Sequence, residues 1–202
     1  MSSPAGHRAY TLIEALGVLA LLGMSAALAL PPLRTAAAGL RVELAAQQVA
    51  GALAESRLYA IRHRANVGVK FHVDGQGEVD FALYRDGDGD GVRNADLEEG
   101  VDPLVRPWRR LGGFGDSARF GFPPGLVPKD PGGSGRRLDR LDDPIRFNRS
   151  DLAVFSPVGT ATPGSVYLTD GGRHLWVVRV ASRSGKITRL VYDLDADAWR
   201  RP

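Results

Sequence analysis

Asp86-Gly-Asp88-Gly-Asp90-Gly91 is a dense run of ligand-type side chains, and Asn94, Asp96, Glu98 and Glu99 follow it closely. Carboxylates at alternate positions, followed by a glycine that permits a tight turn, form the opening half of a calcium loop. Hard oxygen donors suit Ca2+ and not Zn2+. The closing half departs from the EF-hand pattern. Its twelfth position, where a bidentate Glu is wanted, holds Leu97, flanked by Asp96 and Glu98. No apolar helix leads into the run, because the stretch ending at Tyr84 alternates like a strand. The expectation is a Ca2+ loop carried on β structure, with Asp86, Asp88, Asp90, Asp96 and Glu98 as candidate ligands. The competing reading is an acidic hairpin loop facing solvent.

A second carboxylate stands out by its surroundings. Glu14 sits at the mouth of an apolar block, Ala15 to Leu33, that carries no charge. As a helix the block covers about 28 Å, close to the ~30 Å hydrocarbon thickness of a bilayer. A charge in such a segment costs several kcal/mol unless it is paired, so Glu14 is a functional candidate by its position alone.

Catalysis finds no constellation. His7, His63, His72 and His174 are scattered without a helical pair, and Ser156 and Ser184 lack a nucleophile-elbow context. The chain therefore reads as a non-enzyme. It has no cysteine, so the fold needs neither disulfide nor thiol metal site. Its 26 basic and 23 acidic residues give a mild net charge of +3, which is not the footprint of a dedicated DNA-binding domain.

The elements that must position these residues follow from periodicity. Residues 1–9 form a polar leader. Residues 10–64 read as one helical length, membrane-spanning over about 15–33. Pro31-Pro32 is expected to disturb it, because each proline removes a donor and crowds the preceding turn. Beyond them Val42, Ala45, Val49, Leu53 and Ala60 form one stripe at helical spacing, and Leu40, Leu44, Leu58 and Ile61 form the adjacent one. From Val67 the period changes to two. Val67, Val69, Phe71 and Val73, then Val79, Phe81 and Leu83, flank a turn at Asp74-Gly75-Gln76-Gly77 and predict a β-hairpin. Further short strands are expected over 104–111, 119–122, 145–148, 152–156, 165–169, 174–181 and 186–193. Residues 123–144, rich in Pro, Gly and mixed charge, read as a long mobile loop. The whole is α+β: a long N-terminal helix, transmembrane then amphipathic, followed by an antiparallel, sandwich-like β domain over 65–202.

Tyr10-Thr-Leu-Ile-Glu14 after a short basic leader resembles the processing site of type IV pilins and type II secretion pseudopilins. The segment Leu53-Ala-Glu-Ser-Arg57-Leu-Tyr-Ala60-Ile-Arg-His-Arg-Ala-Asn-Val67 resembles the end of the long helix in the minor pseudopilins of the GspH/FimT type. So, in the C-terminal part, do Phe155-Ser-Pro157-Val-Gly159, Gly164-Ser-Val-Tyr-Leu168 and Arg179 to Arg189. The resemblance implies that prepilin peptidase cuts between Ala9 and Tyr10 and methylates the new terminus. The family usually has Gly before the cut, where this chain has Ala9. It implies that Glu14 orders subunits in a filament, and that other pilins or pseudopilins are the partners. It also implies a single-pass protein of the bacterial inner membrane with its globular domain in the periplasm. Some members bind DNA during uptake through a C-terminal basic surface. Here Arg183, Lys186 and Arg189 would carry that alternative, with Arg supplying forks for phosphate. A solvated strand face is the plain reading of the same residues. An ordinary secretory signal with an Ala27-Leu28-Ala29 cleavage site is the competing reading of the N-terminus.

Overall fold

The computed structural model describes residues 11–73, 79–110, 118–148, 150–181 and 184–202, apart from the side chains of residues 29–32. The expected turn at 74–77, with Ala9, Tyr10 and Arg183, lies outside the described residues. The fold is α+β, and the chain divides into two units, Met1–Ala37 and Ala38–Pro202.

The first unit holds the opening half of α1, Leu12–His63. Thr11 caps it: its side-chain oxygen accepts the Glu14 N–H at 3.3 Å, which satisfies one of the donors a helix start leaves free. Every described side chain from Leu12 to Ala37 is exposed, including Leu12, Ile13, Leu19, Leu22, Met24 and Leu33. α1 runs unbroken across positions 31 and 32, so the expected disturbance does not end the helix there. Missing single donors leave the hydrogen bonds of the flanking residues in place.

In the second unit the same helix changes character. Val42, Ala45, Ala46, Val49, Ala52, Leu53, Ser56 and Ala60 are buried, a stripe at three- and four-residue spacing. The adjacent stripe, Leu40, Leu44, Leu58 and Ile61, is exposed. Ser56 is buried at no polar cost, because its hydroxyl donates to the Ala52 carbonyl at 2.9 Å. Arg64 ends the helix in the left-handed region (φ 52), and the Ala65 N–H reaches back to the Ala60 carbonyl at 3.3 Å. That is the hydrogen bond of a Schellman stop, made here without glycine.

The strands form two antiparallel sheets. The first contains β1 (Val67–Val73), β2 (Val79–Arg85), β3 (Leu104–Arg110) and β6 (Leu152–Phe155), in the order β3-β2-β1-β6. The predicted hairpin is present, with Val67 opposite Arg85 and Val73 opposite Val79. The second contains β4 (Arg119–Phe120), β5 (Ile145–Phe147), β7 (Gly164–Thr169), β8 (Leu175–Val180), β9 (Ile187–Asp193) and β10 (Ala198–Arg200). Its order is β10-β9-β8-β7-β4, with β5 also pairing β7. One core joins the buried stripe of α1 to Val69, Phe71, Phe81 and Phe155 of the first sheet and to Phe147, Val166, Trp176 and Val178 of the second. The alanines at 45, 46 and 52 keep the helix close to those larger side chains.

Two elements escape the sequence reading. α2 (Asn94–Glu99) is a short helix after the acidic run, and β10 is a short edge strand. Residues 123–144 form no named strand, as expected of a loop, but the segment is fastened to the domain. Phe122, Leu126 and Leu138 pack on Tyr167, Leu175, Val177 and Tyr192 across the outer face of the second sheet. Trp199 Nε1 donates to the Lys129 carbonyl at 2.6 Å. Asp197 accepts from the Tyr192 hydroxyl and pairs with Lys129 at 3.2 Å and Arg137 at 2.9 Å. Composition suggests looseness because it registers Pro, Gly and charge, and not the anchors that Tyr192, Asp197 and Trp199 supply from elsewhere in the chain.

The Asp197 clasp carries a pH prediction. The Tyr192 hydroxyl, with Lys129 and Arg137, holds the Asp197 carboxyl down at about 2. A depressed folded-state pKa gives stability that is present above the ordinary carboxylate range and is lost as pH falls through about 2. Near-ultraviolet circular dichroism of the Tyr192–Trp199 contact is expected to fade in that window. Asp197→Asn should weaken the signal already at neutral pH and flatten its acid limb. A variant that matches the parent at both ends would show that the clasp does not hold the segment.

Candidate functional site

The acidic run becomes a closed loop between β2 and β3. Asp86 follows directly from Arg85 at the end of β2. Its two carboxylate oxygens accept from the Asn66 side chain at 2.7 Å, the Gly89 N–H at 2.7 Å and the Gly91 N–H at 3.1 Å. Burial pushes this carboxyl up, but Asn66 and the two glycine N–H groups outweigh it and hold it below the usual carboxylate range. The chain then passes through α2, ends it at Gly100 in the left-handed conformation, and returns at Asp102. Asp102 is 2 % exposed and accepts the Gly87 N–H at 2.9 Å and the Arg93 N–H at 3.4 Å. Gly87 has to be glycine here, since a Cβ would stand 2.0 Å from the Val101 carbonyl oxygen.

Oxygens of Asp86, Asp88 and Asp102 lie within 4.8 Å of one another. Two oxygens bound to one Ca2+ at about 2.4 Å each can be at most about 4.8 Å apart, so these three fit around a single ion. Asp90, expected as a ligand, instead pairs with Arg93. Asp96 stands outside the cluster, with one buried carboxylate oxygen that has no partner among the described residues. Glu98 is exposed on α2 and is not brought to the other three. Asp102 is the residue that sequence reasoning missed. An EF-hand template looks for a closing carboxylate at a fixed offset, whereas here a short helix and the Gly100 turn bring a third carboxylate to the cluster from further along. The signal available was Asp102 itself, an acid placed between a stop glycine and Pro103.

Glu14 is exposed in the first turn of α1. Its own N–H is the one that Thr11 caps, so the residue belongs to a Thr-x-x-Glu pattern at a helix start as well as to the apolar block. α1 is also long and apolar enough to cross a membrane by length and composition.

Three separated sequence motifs meet in the second unit. Arg57 of α1 donates Nε to the Gly159 carbonyl at 3.3 Å and Nη2 to the Ser184 carbonyl at 3.1 Å. Gly185 packs beneath this contact, where a Cβ would stand 2.3 Å from the Gly159 oxygen and 2.9 Å from Arg57 Nε. One guanidinium thus ties the helix to both loops, and its planar fork suits two carbonyls that a lysine could not hold together.

No protein-family model matches the chain, and no curated protein matches it in sequence. Among solved structures it is similar to the minor pseudopilin EpsH of the type II secretion system of Vibrio cholerae, in two determinations. One aligns at 13 % identity and TM-score 0.36 over 81 % of this chain and 94 % of that one. The other aligns at 16 % identity and TM-score 0.34 over 80 % and 94 %.

Of the candidate DNA-binding residues, Lys186 and Arg189 are among the described ones, and their surroundings differ. Arg183 lies outside the described residues. Lys186 is exposed just before β9. Arg189 stands within β9 opposite Val178, on the face of the second sheet that carries Trp176 and Val180 toward the core. Its Nη1 is buried without a partner among the described residues. Positions three apart in a strand point to opposite faces, which the sequence spacing already contained.

Proposed function

We propose that this chain is a membrane-anchored minor pseudopilin or minor type IV pilin, a filament subunit and not an enzyme. One observation carries the reading: every described side chain in the apolar opening of α1 is exposed, while the same helix further on buries a stripe against two sheets. Glu14 and Arg34 bracket this opening, and the residues between them carry no charge. They stand about 30 Å apart along a helix, the thickness of a hydrocarbon layer. A surface this apolar requires lipid or other helices around it. Leader, Tyr10-Thr-Leu-Ile-Glu14 and β domain fit a protein cut between Ala9 and Tyr10 by prepilin peptidase and methylated there. It would be held in the bacterial inner membrane with its β domain in the periplasm. The partners are other such subunits, and Glu14 pairs with the terminal amine of a neighbour.

Intact mass and terminal sequencing of the membrane-extracted protein test this. A chain starting at Tyr10 and carrying one added methyl group is expected. A soluble chain starting at Leu30 would sink the proposal in favour of a secretory signal.

We further propose that Asp86, Asp88 and Asp102 hold one Ca2+ in the loop between β2 and β3. Three carboxylates crowded together repel, and a divalent cation would offset that repulsion. Asp86 already has its orientation set by Asn66 and two backbone donors. Binding there would steady the β2–β3 connection.

A further inference from the structure

The outer face of the second sheet carries a row of polar side chains that assembly through α1 does not use. Arg146 on β5 stands opposite Ser165 on β7, and Ser165 stands opposite Arg179 on β8. Neighbouring Cα atoms across an antiparallel ladder are about 5 Å apart, so the arginines flank the serine about 10 Å from each other. Tyr167 is two residues along β7, hence on the same face.

Both guanidinium groups are held in place. Arg146 lies over the rings of Tyr167 and Phe122, at 5.5 and 5.6 Å, and its Nε donates to the Asp143 carbonyl at 2.7 Å. Its Nη2 is buried with no hydrogen-bond partner among the described residues. Arg179 donates Nη1 to the Pro131 carbonyl at 3.3 Å. Asp130 and Asp143 also stand nearby, each hydrogen-bonded within its own turn. Asp130 accepts from Gly132 and Ser134 in its own turn, and Asp143 accepts the Ile145 N–H. Burial pushes the Tyr167 hydroxyl up to about 12, with the Asp130 charge acting in the same direction and Arg146 and Arg179 acting against it.

We propose that Arg146, Ser165 and Arg179 bind a phosphate group. Two fixed forks present paired N–H donors from opposite sides, a hydroxyl lies between them, and a tetrahedral anion can accept from all three. Such an anion would supply the acceptor that Arg146 Nη2 lacks. Phe122, Leu126 and Leu138 pack on the same face of the sheet. That cover favours a free phosphate ion or a terminal phosphate monoester over a continuous nucleic-acid backbone.

The test is calorimetric titration of the full chain in detergent micelles at constant ionic strength. The probes are inorganic phosphate, phenyl phosphate, acetate and a single-stranded oligonucleotide. One-site saturable phosphate binding is expected. Phenyl phosphate separates a monoester from the free ion. Arg146→Gln and Arg179→Gln should each weaken phosphate binding about tenfold or more, the scale of one charge-assisted hydrogen bond. Arg146→Lys should not restore it, because the charge returns without the fork. Arg200→Gln, at a surface arginine paired with Asp193 on the edge of the sheet, should leave it unchanged. If Arg146→Gln fails to fold, Arg179→Gln and Ser165→Ala decide. The proposal is overturned by any of four results: no saturable phosphate binding, binding that survives the arginine changes, acetate bound as tightly as phosphate, or oligonucleotide bound without phosphate.

Discussion

Glu14→Ala should leave the chain in the membrane and remove it from the assembly. Insertion gains from the change, since an acidic residue in a membrane helix costs up to about 3 kcal/mol and alanine costs almost nothing. Assembly loses, because a neighbour's terminal amine would be left unpaired in a poorly solvated place. Breaking one half of a buried ion pair costs about 3–5 kcal/mol, which corresponds to a more than hundredfold loss of incorporation. The structure adds a complication. Glu14 is also the third helical residue after the Thr11 cap, and helix capping is worth ~1 kcal/mol by itself. Glu14→Gln separates the two roles, since glutamine serves a capping box equally well and carries no charge. We expect Gln and Ala to fail alike in cross-linking to partner subunits, with both variants recovered in the membrane fraction. Normal cross-linking by Glu14→Gln would assign the residue to the helix start alone.

Calcium should raise the melting temperature of the full chain in detergent, and Asp88→Ala should abolish the rise. At 100 times its dissociation constant, an ion bound only to the folded state stabilises it by about 2.7 kcal/mol. Asp88 is the clean position: it is exposed, and its carboxylate accepts the Asp90 N–H at 3.2 Å. Losing it should leave the metal-free protein nearly unchanged. Asp86→Ala should behave differently. It strips acceptors from Asn66, Gly89 and Gly91, so about 1–3 kcal/mol should disappear even with chelator present. Asp90→Asn should keep the calcium response, because Asp90 is occupied by Arg93 and lies outside the cluster. Magnesium should do much less, since it gives up its waters reluctantly and demands a tight octahedron. Equal melting points with calcium, magnesium and chelator would reduce the loop to an acidic connection between two strands.

The two stripes of α1 show how far a sequence reaches. Val42, Ala45, Val49, Leu53 and Ala60 and their neighbours Leu40, Leu44, Leu58 and Ile61 are both apolar, and both have helical spacing. Nothing in a 3.6-residue period says which stripe meets a sheet. The stripe that does so here mixes Ala45, Ala46, Ala52 and Ala60 with Val42, Val49 and Leu53 in one core with Phe71, Phe147 and Phe155, whereas the leucines of the second stripe stay exposed. That choice depends on the volume offered by strands far along the chain.

The sequence by itself determined what local periodicity and local chemistry can determine. It yielded the apolar helix with one carboxylate at its mouth, the change to period two at Val67, the β1–β2 hairpin, nearly every later strand and the existence of an acidic loop. These are written in neighbours a few residues apart, and the backbone obeys them wherever they are strong. Only the tertiary structure decided which side chains share a place. It put Asp102 beside Asp86 and Asp88. It joined Arg57 to Gly159 and Ser184, and aligned Arg146, Ser165 and Arg179 across three strands. Each of these is a contact between segments whose separation is set by strand register and loop closure. Those depend on how one shared core packs, and no window of sequence contains that core.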